Sequence, residues 1–212
     1  MGVTEAPRAF GIQGGTIDPV HLGHQALAPE AHQELRQDHL LFVPNADPPH
    51  KQDQSVTPAR HREGMVALAI EPEPAFVLSR IELERDGPSF AVDTVAELAD
   101  RARAEGRPVP WFVMSAEALD DFDSWREPER ILDLCRLAVG PRPGAEPLDH
   151  GWVAKHYPGR ESGFAFLPGP ELDIASTDIR VRVAAGEAIT DLVPDAVAAY
   201  IEEHGLYRGA AS

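Results

Sequence analysis

One cysteine, Cys135, stands in the whole chain, so no internal disulfide can form and packing must hold the fold. Its neighbourhood, Ile131-Leu-Asp-Leu-Cys-Arg-Leu137, makes it a core residue rather than a nucleophile. No apolar run approaches the ~20 residues that cross a bilayer. The first ten residues, Met1–Phe10, lack the hydrophobic stretch of a secretory signal. Basic residues are scarce too: 19 Lys and Arg against 35 Asp and Glu leave a net charge of −16. A field of that sign repels nucleic acid and anionic membrane unless a basic run overrides it, and no such run exists. Neither is expected as a partner, and a reducing cytoplasm is the expected compartment. Any anionic ligand must be held by a locally positive pocket.

What is present suits a folded domain. With 212 residues and 43% hydrophobic content, the chain can bury a sizeable core. Its twenty prolines imply rigid loops. Apolar runs alternate with helical patterns, which predicts an α/β domain over residues 1–212: a Rossmann-like open, mostly parallel sheet with helices on both faces and a small C-terminal helical portion over about 174–207. Strands are expected at Ala9–Gln13, Leu40–Val43, Phe76–Leu78, Ile81–Leu83, Trp111–Met114, Leu137–Val139 and Phe164–Leu167. Helices are expected after the histidines near residue 21, where Pro29 clouds the first turns, and over Pro58–Ile70, Ser89–Ala104, Ala118–Phe122, Pro128–Leu134, Thr177–Ala185 and Pro194–His204. The stretch 141–170 reads as loop-rich. A homo-oligomer stays open.

The most informative segment is Gly11-Ile-Gln-Gly14-Gly15-Thr16-Ile17-Asp18-Pro19-Val20-His21-Leu22-Gly23-His24. Glycines let backbone N–H groups approach a ligand closely, because no Cβ intervenes. Gly14 and Gly15 follow a predicted strand, and ligands of open α/β sheets bind beyond the carboxyl ends of strands. His21 and His24 lie on one face if the segment is helical, and imidazoles there can donate to phosphate oxygens. A zinc site would need a third ligand; nothing around His32 or His39 supplies one at suitable spacing, and no protein-held metal is expected. A second segment, Ile174-Ala-Ser-Thr-Asp-Ile-Arg180, precedes a helix. Ser176 or Thr177 could cap that helix, its free N–H groups could bind an anion, and Arg180 would add a fork of donors.

Gly14–His24 resembles GGTFDPxHxGH, the signature of the nucleotidyltransferase superfamily, departing only at Ile17. Ile174–Arg180 resembles the superfamily's second signature, ISSTxIR, with Ala175 replacing the first serine. Phe42-Val-Pro44 with Pro48-Pro-His-Lys51 is similar to a segment of bacterial nicotinate-nucleotide adenylyltransferases. So are Arg85–Thr94 (RxGPSYTxDT in the family), Trp125, Arg142-Pro-Gly144 and Leu192–Tyr207. The resemblance runs from about Phe10 to Tyr207. Phe90, Ala91, Ser115 and Glu117 depart from the family's usual residues.

The resemblance implies transfer of AMP from ATP to nicotinate mononucleotide, giving deamido-NAD and pyrophosphate. It puts His21, His24, Lys51 and Arg180 in catalysis, and Gly14, Gly15, Thr16, Ser176 and Thr177 on ATP. Phe90, Ala91, Glu117, Trp125 and Arg142 fall to the mononucleotide, and Mg²⁺ comes in with ATP. At this stage nicotinamide mononucleotide as acceptor, or a nucleotide-binding relative that has lost catalysis, also stays open.

Overall fold

A computed structural model describes residues 7–48, 56–144, 146–169 and 172–209. Its sheet contains β1 (Gly11–Gly15), β2 (Leu40–Pro44), β3 (Phe76–Leu78), β4 (Trp111–Ser115), β5 (Arg136–Gly140) and β6 (Phe164–Phe166). Their order is β3-β2-β1-β4-β5-β6, and every pairing is parallel. Chain order reverses between β1 and β4. A crevice must open there, because the connections leaving these two strands run to opposite sides.

Strand residues alternate between two cores, as a sheet buried on both faces requires. Leu41, Val43, Phe112, Met114, Leu137 and Val139 face one side. There they meet α3 (Ala91–Ala104) and α5 (Pro128–Leu134) through Val92, Val95, Leu98 and Ile131. Leu40, Phe42, Val113 and Ala138 face the other. That side is covered by α1 (Leu22–Glu34), α2 (Ala59–Ile70), α7 (Ser176–Ala184) and α8 (Asp195–Glu203). Cys135 is buried in the first core, and burial pushes its thiol up to about 12, which keeps it inert. No helix among the described residues is long and apolar enough to cross a membrane.

The expected strand at Ile81–Leu83 is instead a turn. Ser79 still donates to Phe42 at 2.9 Å, then Glu84 N–H bonds back to Arg80 at 2.9 Å. The segment thus closes on itself, and Ile81 packs on the core while Glu82 is buried. Within 141–170 a helix α6 (His150–His156) forms, capped by Asp149, which accepts from Trp152 N–H at 2.9 Å. Helix α1 is regular from Leu22 and continues through Pro29. Residues 116–124 hold a short helix α4 (Ala116–Asp120) followed by a 3₁₀ turn, Phe122–Ser124.

Candidate active site

A cleft of about 970 Å³ opens at the reversal between β1 and β4. That is the upper range for a small-molecule pocket and large enough for two nucleotides side by side. One wall is Gly14, Gly15 and Thr16 at the end of β1, with His21, Gly23 and His24 opening α1. The opposite wall carries Phe90, Ala91, Phe112, Trp125 and Arg126. Ser115 and Glu117 close it at the end of β4, and residues 172–175 close it beside the histidines.

The two histidines sit with ring centroids 3.8 Å apart. His21 is the N-cap of α1, and its backbone N–H donates to His24 Nδ1 at 3.3 Å. That bond makes Nδ1 of His24 the acceptor and leaves the proton on Nε2, so His24 offers one N–H donor to a ligand. Burial, and then His24, push His21 down to about 2; burial pushes His24 down to about 4. Both rings are therefore neutral donors near pH 7, not cations. Gly23 has its own reason: a Cβ there would lie 2.9 Å from His21 Nδ1.

The turn between the glycines and the histidines is bound from three directions. Arg62, 1% exposed, donates to the carbonyls of Thr16 at 2.8 Å, Thr57 at 2.8 Å and Ala46 at 3.2 Å. Asp18 accepts from Thr57 N–H at 3.0 Å and from the Tyr207 hydroxyl at 2.7 Å. Ser176 Oγ donates to the Pro19 carbonyl at 2.9 Å, and Arg180 Nη1 to the Asp18 carbonyl at 2.7 Å. Ser176 thus does not cap α7 as expected: Ala175 is the N-cap, without a side-chain bond, because the Ser176 hydroxyl has gone to Pro19. Arg180 also reaches Thr177 Oγ1 at 3.4 Å. Within this bound turn Ile17 has φ 49°, a left-handed conformation costly for a β-branched residue and found mainly where surroundings enforce it.

On the far wall, Trp125 packs edge-on against Phe112 and tilted against Phe122, with centroids at 5.8 and 5.4 Å. Ser89 Oγ accepts from Ala46 N–H at 3.0 Å and Asp47 N–H at 3.3 Å, tying the loop after β2 to the start of α3. That use of Ser89 leaves Phe90 as the N-cap of α3, so the helix begins at Ala91 rather than at Ser89. Thr94 donates to Glu82 at 2.7 Å and accepts from Arg85 at 2.9 Å. Burial raises Glu82 above the usual carboxylate range, and its bonds to Thr94 and Ser89 partly offset this.

The structure therefore brings Gly14, Gly15, Thr16, His21, His24, Phe90, Ala91, Glu117 and Trp125 to one cleft. Arg142 stands off the wall and pairs with Glu117 at 3.2 Å and Asp120 at 2.8 Å. Ser176, Thr177 and Arg180 do not line the cleft; they follow its wall residues 172–175 in the chain, and Ser176 and Arg180 hold the carbonyls of Pro19 and Asp18. Lys51 is outside the described residues. Among these residues no group of three or more His, Cys, Asp or Glu stands ready for a metal ion. The sequence reading missed Arg62, Glu82 and Arg126. Arg62 had a signal: it occupies the same helical stripe as Met65, Val66, Ala69 and Ile70, all buried, and an arginine on an apolar stripe marks a buried polar role. Arg126 follows the aromatic that was singled out.

The sequence matches the cytidylyltransferase-like family over residues 12–182. It is 43% identical over 199 residues to a relative from Roseiflexus sp. (strain RS-1) named "Probable nicotinate-nucleotide adenylyltransferase", covering 94% of this chain and 98% of the relative. A Thermus thermophilus relative of the same name is 40% identical over 201 residues, covering 94% and 99%. Among solved structures, the Plasmodium falciparum nicotinic acid mononucleotide adenylyltransferase complexed with NaAD superposes with a TM-score of 0.75 at 19% identity, over 95% of this chain and 97% of that one. At that identity the likeness shows the shared fold.

Proposed function

The chain belongs to the cytidylyltransferase-like family and, within it, to the nicotinate-nucleotide adenylyltransferases, and on that premise we propose how its cleft transfers AMP from ATP to nicotinate mononucleotide. The products are deamido-NAD and pyrophosphate, a step of NAD biosynthesis. The observation that carries the reading is the neutral histidine pair beside the Gly14–Thr16 backbone, facing an aromatic wall across one cleft at the strand-order reversal.

The acceptor's phosphate oxygen forms a bond to the α-phosphorus of ATP as the α–β P–O bond breaks. The electron pair of the broken bond leaves with pyrophosphate. A phosphate monoester is largely dianionic at neutral pH, so the nucleophile needs no base. The protein's task is to bring anions together and neutralise charge that grows on the transferred and leaving groups. Nε2–H of His24 and an N–H of His21 serve the α- and β-phosphate oxygens. Backbone N–H groups of Gly14, Gly15 and Thr16 lie close because glycine leaves room. Neutral imidazoles suit this role: they donate without the cost of a buried cation when the cleft is empty.

Arg180, Ser176 and Thr177 serve the leaving pyrophosphate. Arg180 uses one N–H on Asp18 and has others in its fork of five. Lys51 joins them on the strength of the sequence resemblance. Trp125 stacks on the pyridine ring, with Phe90, Ala91, Glu117 and Arg142 on the mononucleotide side. Mg²⁺ enters as part of the ATP complex, held by phosphate oxygens and water. The reading puts the enzyme in the cytoplasm, where ATP and reduced thiols coexist.

The test is pyrophosphate release from ATP with nicotinate mononucleotide. Release that depends on the mononucleotide, with deamido-NAD as product, is expected. ATP binding without release would reduce the chain to a nucleotide binder.

A further inference from the structure

We propose that Arg126 is a specificity-determining residue that holds the pyridine carboxylate of the acceptor and so selects the acid mononucleotide over the amide. The proposal rests on the adenylyl-transfer reading above and deepens it.

Among the described residues lining the cleft, the acids are Glu82, Glu117, Asp121 and Asp173, and Arg126 is the one arginine or lysine. Both histidines there are neutral near pH 7. Nicotinate mononucleotide carries one more negative charge than its amide counterpart, on the pyridine ring. An acid-lined cleft disfavours that charge unless a cation stands beside it.

Arg126 is placed for this. Its guanidinium carbon lies 4.5 Å from the centroid of the Phe90 ring, a stacking that fixes the plane of the fork. It directly follows Trp125, so the cation sits on the same wall as the aromatic that receives the pyridine. Its nearest acid, Glu127, contacts Nε at 3.5 Å and is shared with Arg130 at 3.1 Å. The terminal N–H₂ groups are the pair that a carboxylate takes in bidentate fashion. Glu127 has φ 52° immediately before Pro128. Non-glycine residues seldom adopt this conformation, and it turns the chain sharply after Arg126 into α5, leaving Trp125 and Arg126 on the cleft side.

The experiment measures kcat/KM for nicotinate and nicotinamide mononucleotide in the wild type, Arg126→Gln and Arg126→Lys, with each variant's Tm recorded. In Arg126→Gln the ratio of acid to amide kcat/KM should fall about tenfold. Arg126→Lys should restore part of it, since charge returns without the fork. The wild-type ratio should also shrink with rising salt, because the group is half-exposed. Calorimetric titration of both mononucleotides into Arg126→Gln provides a readout apart from turnover, and the loss should fall on the acid. Equal losses for both mononucleotides would overturn the proposal and point to the phosphate they share. An unchanged ratio would overturn it outright. A wild-type enzyme that releases pyrophosphate with neither acceptor would instead overturn the adenylyl-transfer reading itself, and the two failures are thereby separate.

Discussion

Tyr207 donates its hydroxyl to Asp18 Oδ1 at 2.7 Å across 189 positions of the chain. The bond fastens the C-terminal end to the turn that separates the glycines from the histidines. Asp18 is 3% exposed, so its carboxylate depends on partners for its solvation. Burial, and then the negative field of Asp18, raise the Tyr207 hydroxyl above its usual range, which keeps it a donor at any physiological pH.

Tyr207→Phe should therefore destabilise the fold by about 2 kcal/mol, the worth of a hydrogen bond to a charged group. For a chain of this size that is about 4–8 °C in Tm. Scanning calorimetry of the variant checks it, and an unchanged Tm would show that Asp18 needs no such partner.

Arg62 has a larger stake. It ties the carbonyls of Thr16, Ala46 and Thr57, and Met in its place leaves three acceptors without their donor. Burial works against its charge, and Asp18, Tyr207 and Glu82 offset that only in part, so the guanidinium depends on the carbonyls it holds. Arg62→Met should cost about 3 kcal/mol or more, read as a shift in the urea midpoint with m unchanged. Arg62→Lys should recover less than half of the loss, since an ammonium cannot span three carbonyls in one plane.

Gly23→Ala separates stability from activity. Alanine is favoured over glycine in a helix by about 1 kcal/mol, so Tm should hold or rise. The new Cβ stands 2.9 Å from His21 Nδ1, so the imidazole must move. Turnover should fall at least about tenfold, since misplacement of this order can cost ~10²-fold. Full activity in this variant would show that His21 need not be held in place.

His24→Ala should lower kcat about 10²-fold while leaving the mononucleotide KM near its wild-type value, as loss of a transition-state donor does. His24→Asn keeps a donor and should retain more turnover than the alanine variant. Steady-state kinetics on both variants decides it.

The pH dependence of stability follows from the histidines. Their folded values, about 2 for His21 and about 4 for His24, lie below the ordinary 6.5. Below pH 6.5 the unfolded chain binds protons that the native protein refuses, so stability falls as pH drops from there toward 4. Glu82, raised by burial, acts in the opposite sense: its contribution is greatest in acid and is lost as pH rises through its folded value. Melting curves from pH 8 to pH 5 should show the acid decline, and His21→Asn combined with His24→Asn should flatten it. A decline of equal steepness in the double variant would assign it to other groups.

Much of this was legible in the chain. The spacing of Gly14, Gly15, His21 and His24 is local, within one strand, one turn and the start of one helix, and local geometry follows from sequence. The alternation of Leu40 to Val43 and of Trp111 to Met114 between two faces likewise follows from the period of a strand. The turn at Ile81–Leu83 was not legible, since a three-residue apolar run does not say whether a neighbouring strand edge will take it. Nor was α6, whose signal lies in the Asp149 cap rather than in periodicity.

By itself the sequence singled out the groups proposed to meet phosphate: the two histidines, the glycines before them and the Ser176–Arg180 segment. Only the tertiary structure decided their state. Folding removed the histidines from water, which keeps them neutral well into the acid range. Ser176 and Arg180 reached back over 157 and 162 positions to the carbonyls of Pro19 and Asp18. Arg62 lost its solvent and took three carbonyls instead. Desolvation and contacts between residues far apart in the chain exist only once the chain has closed on itself, and no local pattern encodes them.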